Sequence, residues 1–177
     1  MVRVALAALG ATFGWWLGIL MGSTVGGALN WFVSPVLGRM IGGLLAGLIG
    51  AAIEARFMSS LRGKRLQFTG ATALVTAVAT LLLIDVHALP WLVGGVFGAA
   101  IAVAQAKVLG LGSRDAILRT LSSSVAWSLG FALLQHGGAY EKLGVLAPGL
   151  AVILFALSGA PTRSRMPGTT RPRLQLR

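Results

Sequence analysis

Six long stretches of this chain carry few charges, and that feature decides most of what it can fold into. They cover residues 4–22, 35–57, 66–84, 90–108, 116–134 and 143–159. Most are close to the ~20 residues that an α-helix needs to cross about 30 Å of hydrocarbon. Only 11% of the 177 residues are charged and 56% are hydrophobic, against about 25% charged in an ordinary soluble domain. A water-facing surface cannot be made from such a sequence. In lipid every backbone N–H and C=O must be satisfied within the segment, so runs of this length are expected to be helices. The sequence therefore predicts an all-α polytopic membrane protein: a bundle of six transmembrane helices over residues 1–160, followed by a basic cytoplasmic tail at 161–177. The apolar run after Met1-Val2-Arg3 resembles a signal peptide but offers no clear cleavage site, and is expected to be the first span.

Three prolines punctuate the pattern. Pro35, Pro90 and Pro148 stand at or near the starts of the second, fourth and sixth segments, where a missing N–H costs a helix nothing. Pro161 follows the last one.

Charge sets the expected orientation. Arg3 precedes the first segment; Arg56, Arg62, Lys64 and Arg65 surround the second connection; Lys107, Arg114 and Arg119 surround the fourth; and Arg163, Arg165, Arg171, Arg173 and Arg177 fill the tail. Only Arg39 and Lys142 fall beside the other connections. The positive-inside rule then places both termini in the cytoplasm, in an inner (cytoplasmic) membrane. The net charge of +11 is explained by topology and anionic headgroups, so nucleic acid is not an expected partner. The lipid bilayer and other membrane subunits are.

Small residues four apart form ladders: Gly10, Gly14, Gly18 and Gly22 in the first segment, Gly38, Gly42, Ala46 and Gly50 in the second, Gly94, Gly98, Ala102 and Ala106 in the fourth. Such positions share one helical face and let backbones approach closely in lipid. The third and fifth segments carry hydroxyls at the same spacing, Thr72, Thr76, Thr80 and Thr120, Ser124, Ser128. Glycine ladders are expected to meet these hydroxyl faces. An offset of 48 superposes the hydroxyl stripes and carries residues 47–53 onto 95–101, so segments two and three resemble a parallel repeat of four and five.

Several polar positions are functional candidates, since ionisable groups at membrane depth are rare and purposeful. Arg39 is expected to snorkel to headgroups, and Glu54 to meet Arg62, Arg65 or a neighbouring helix. Asp85, His87 and His136 stand at span ends. His87, His136, Gln105 and Glu54 are the candidate cofactor or pigment ligands, with the cofactor itself unspecified. Trp31 and Trp91 fit an interfacial belt, whereas Trp15, Trp16 and Trp127 are expected to pack.

Catalytic and metal-binding signatures are missing. The sequence has no cysteine, no HExxH, no phosphate loop and no nucleophile elbow around Ser122-Ser123-Ser124. No catalytic or metal residues are assigned, and an enzyme is not expected. Two function classes remain. One is a non-catalytic subunit or scaffold of a larger membrane assembly, energy-transducing or pigment-bearing. The other is a small-solute transporter or the substrate-binding membrane component of an uptake system, its path lined by Thr72, Thr76, Thr80, Thr120, Ser124 and Ser128.

Overall fold

A computed structural model describes residues 2–58, 61, 63–83, 89–136 and 143–158. It is all-helical: α1 (Val2–Phe32), α2 (Pro35–Phe57), α3 (Arg65–Leu83), α4 (Pro90–Leu109), α5 (Ser113–His136) and α6 (Ala147–Leu157), with no strand among the described residues. Five of these are long and apolar enough to cross a membrane. The sixth has 11 residues and extends only ~16 Å at 1.5 Å per residue, about half of a hydrocarbon core. The expected sixth full span is thus a short helix. Asp85, His87, Glu141, Lys142, Arg62 and the tail at 161–177 lie outside the described residues, as does the side chain of His136 at the end of α5.

Each helix packs on its neighbours in the chain, and α6 closes back onto α1, so the bundle is a ring in sequence order. Pro35, Pro90 and Pro148 each occupy the first turn of a helix. α4 ends on Gly110 at φ 67°, whose N–H reaches back to the Ala106 and Lys107 carbonyls. The left-handed conformation is open to glycine at no steric cost. Lys64 Nζ donates to Val108 O at 3.2 Å, a cation on the carbonyl end of α4 that pins the α2–α3 connection to it.

α1 differs most from its sequence expectation. Residues 23–32 are rich in glycine and polar side chains and look like a connection, yet α1 continues through them for 31 residues in all, ~46 Å. Ser23 and Thr24 donate their hydroxyls to Leu20 O within the helix, which removes their need for water. Gly26 packs against Gly38 and Gly42 of α2. Only Val33 and Ser34 remain as a connection, and both N–H groups bond to Leu29 O, giving a tight helical hairpin.

The two helices of that hairpin touch backbone to backbone. A methyl added at Gly14 would stand 2.9 Å from Gly50 O, and one at Gly42 would stand 2.8 Å from Gly22 O. Gly18 meets Ala46 O as closely, and Gly10 meets the Phe57 ring. The α1 glycines therefore face those of α2, not hydroxyls. The hydroxyls of α3 meet the adjacent glycine register: added methyls at Gly43 and Gly47 would lie 2.7 Å from Thr80 Oγ1 and Thr76 Oγ1. At the other side, Gly94 and Gly98 face Trp127 and the Ser123 carbonyl, whereas Gly95 faces Ser128 and Ser124. The reason is geometric. A helix in a ring has two neighbours, and successive residues lie about 100° apart, so glycines at consecutive positions smooth two faces.

This contact pattern separates glycines that pack from those that do not. Gly18→Val forces a side chain into the α2 backbone, an overpacking cost of about 1–3 kcal/mol, and is expected to lower the thermal unfolding midpoint in detergent. Gly27 has nothing within 4 Å of an added methyl, so Gly27→Ala should leave the midpoint unchanged or raise it, because alanine favours helix by about 1 kcal/mol.

Candidate functional site

The charged centre of the bundle lies toward the end where α2 and α4 finish and α5 begins. Glu54, one turn from the end of α2, is 5% exposed, and Arg119 of α5 is 8% exposed. Arg119 Nη2 donates to Glu54 Oε1 at 3.3 Å and to Gln105 Oε1 at 2.6 Å. The same amide turns its Nε2 to Glu54 Oε2 at 3.5 Å and to Thr72 Oγ1 at 3.4 Å. Only this orientation of Gln105 is sensible, since its oxygen must face the guanidinium and its N–H groups the acceptors. Trp15 Nε1 completes the set, donating to Glu54 Oε2 at 3.3 Å. Five helices thus contribute to one cluster, and α6 adds the Phe155 ring, 5.6 Å from Arg119 Cζ, within cation–π range.

An isolated charge at this depth would be prohibitive, and the pair neutralises both partners while the amide and indole take up their remaining bonding capacity. Arg119 Nε is the exception, buried with no partner among the described residues. It belongs to a residue lining a small cavity of about 30 Å³, shared with Glu54, Gln105, Ser123 and Pro148, room for about one water.

Beyond the cluster an aromatic layer crosses the bundle. Trp127 packs edge-on against Trp15 at 5.3 Å and Phe97 at 5.0 Å between ring centroids. On its far side opens a cavity of about 500 Å³, within the range of ligand pockets. Its wall is formed by the turns of α1 and α2 nearest their connection, the last turns of α3, and the facing ends of α4 and α5. Gly22, Gly26, Gly27 and Gly42 supply bare backbone, and Ile19, Leu83, Val93 and Phe131 supply apolar bulk. Asn30 and Arg39 supply polar groups at the end farthest along α1 from Trp15. Trp15 and Trp127 line both cavities, so the indoles are the partition between them.

The residues expected from sequence divide among these features. Thr76 and Thr80 line the large cavity, and Thr72 joins the charged cluster. Thr120 bonds back to Ala116 O, Ser124 donates across to Gly95 O at 3.0 Å, and Ser128 packs on Gly95. These three do not line the cavity. Gln105 and Glu54 bond to one another and to Arg119. His87 is outside the described residues. Among the described residues no three His, Cys, Asp or Glu side chains converge on a metal position.

Arg119 is the member of the buried cluster that the sequence reading missed. It counts among the positive charges of a connection when read by position alone, yet it is buried and paired. The available signal was spacing: Ser123 and Trp127 follow at four-residue intervals, so Arg119 shares their buried face. Comparison with protein-family models, curated proteins and solved structures finds no match to this chain.

The cluster makes a quantitative prediction. Arg119→Met leaves the Glu54 carboxylate buried and unpaired, at a cost of about 3–5 kcal/mol, and should sharply lower the thermal unfolding midpoint. Glu54→Gln with Arg119→Met removes both charges and should regain most of that loss. A double variant no more stable than Arg119→Met would show that the pair is not the source of the effect.

Proposed function

We propose that this chain is a substrate-binding membrane component of a small-solute transport system, its ligand held in the 500 Å³ cavity above the Trp15–Trp127 partition. The cavity carries this reading. A sealed scaffold needs no such space, and the ring narrows from an open chamber through paired indoles to a buried charge cluster. That order suits a path closed at one level. Intramembrane ionisable residues are functional by default, and Glu54 and Arg119 stand on opposite sides of the ring, where relative motion of the two sides would separate them.

The duplication of α2–α3 in α4–α5 fits the same reading, since parallel repeats recur in transporters. Support comes from Gly47 against Thr76 and Gly95 against Ser124, and from Thr72 and Thr120, which bond back to Phe68 O and Ala116 O; each pair is related by the offset of 48. Glu54, Gln105 and Arg119 break the repeat, with Ala102, Phe57 and Ala71 at the equivalent positions. The small-residue ladders serve as the packing code. We propose an inner-membrane location with both termini in the cytoplasm; the gathering of Arg56, Lys64, Arg65, Lys107 and Arg114 at one end supports it.

Two measurements bear on this. Native mass spectrometry of the full chain from mild neutral detergent should show a monomer carrying a small-molecule adduct. A stoichiometric protein partner and no adduct would favour the other class, a non-catalytic subunit or scaffold of a larger assembly. Fusions at the C-terminus should give fluorescence with green fluorescent protein and no activity with alkaline phosphatase; the opposite pattern would reverse the orientation.

A further inference from the structure

We infer that the ligand of the large cavity is a single-chain amphiphile with an anionic, phosphate- or carboxylate-type head. The inference rests on the cavity being a binding site, as proposed above, and adds the chemistry of what it takes.

The wall dictates an apolar body. Glycine backbone and the side chains of Ile19, Leu83, Val93, Phe97 and Phe131 make most of it. Two of its hydroxyls, Ser23 and Thr76, donate to carbonyls of their own helices, so those protons are not offered to a ligand. The floor is aromatic, formed by Trp15 and Trp127. A ligand lacking a long apolar portion would leave the walls at Ile19, Leu83 and Phe131 uncovered.

The rim dictates the head. Arg39 is the one charged side chain lining the cavity among the described residues, with Asn30 beside it in the lining. An arginine carries five N–H donors in a fixed fork, so it can serve a protein neighbour and a ligand oxyanion together, and the fork matches phosphate and carboxylate geometry. Arg39 and Gly50, where the Trp15 indole packs, are separated along α2 by ~16 Å. A chain of about ten carbons together with its phosphate head is close to that length, the head lying at the rim and the chain end at the indoles.

The two floor tryptophans supply the test. With Trp16, Trp31 and Trp91 replaced by Phe, only Trp15 and Trp127 emit, and a bromine on the chain terminus quenches them on contact. Saturable quenching by ω-bromoundecyl phosphate is expected, with ω-bromoundecanol bound about tenfold more weakly, the loss of one charge-assisted hydrogen bond. Arg39→Gln should bring the phosphate down to the alcohol, and Arg39→Lys should keep the preference. Gly27→Phe places a ring into open cavity space and should abolish saturable quenching by both probes, with the helical thermal melt checked in each variant.

Equal affinity for phosphate and alcohol, or indifference to Arg39→Gln, overturns the anionic class while leaving the binding cavity in place. Absence of saturable quenching, or quenching unaffected by Gly27→Phe, overturns the cavity reading as well. Water-soluble ω-bromohexyl phosphate and a bilayer-borne brominated lysophosphatidate distinguish the sources. Tight binding of the first points to a soluble anion and of the second alone to a lipid; either upholds the class.

Discussion

The contact on which the rest of the structure depends is between the backbones of α1 and α2. In lipid, apolar side chains gain little by leaving their surroundings, so helix association depends on close van der Waals packing and interhelical polar contacts. α1 and α2 approach so closely at Gly14, Gly22, Gly42 and Gly50 that methyl groups at these positions would collide with the partner's backbone or with Trp15. This hairpin orders the rest. It carries α1 well beyond ordinary span length, and the turns nearest its connection become one wall of the large cavity. Its opposite turns place Trp15 and Glu54 close enough for an indole-to-carboxylate hydrogen bond.

The charged cluster extends the hairpin's influence across the ring. Glu54 enters on α2, Thr72 on α3, Gln105 on α4 and Arg119 on α5, and none of the ionised groups is tolerable there alone. α6 is too short to span but long enough to cover this level, where Phe155 meets the guanidinium and Pro148 lines the adjoining small cavity. The paired indoles then separate a polar, tightly filled half from a roomier apolar half. In the function proposed above, packing and ligand binding fall at different heights of one bundle. The polar bonds and backbone contacts hold one half together, and the cavity beyond the partition is the proposed ligand site.

Much of this organisation is legible in the sequence, for reasons that are local. Hydropathy marks α2, α3, α4 and α5 within a few residues, and Pro35, Pro90 and Pro148 mark starts because a first turn tolerates a missing N–H. Four-residue spacing identifies which glycines share a face. It does not say which neighbour that face meets, and the expected pairing of α1 and α2 ladders with hydroxyls gave way to pairing with each other. The glycine-rich end of α1 was also illegible. Low helix propensity and hydroxyls argue for a connection, and only the contact of Gly26 with Gly38 and Gly42 overrides them.

The candidate site shows the same division. Glu54, Gln105 and Thr72 attract notice because polar groups at membrane depth are costly, whereas Arg119 resembles an ordinary topological charge until its partner is known. The sequence by itself determined an all-helical, membrane-suited chain, the places where its helices begin, and the faces smooth enough for contact, because each follows from residue type at short spacing. Tertiary structure alone decided that α6 stops short of a span, that Arg119 turns inward to Glu54, and that a large cavity lies beyond the Trp15–Trp127 partition. Those outcomes depend on which helix stands next to which, and at what height, and no local periodicity encodes either.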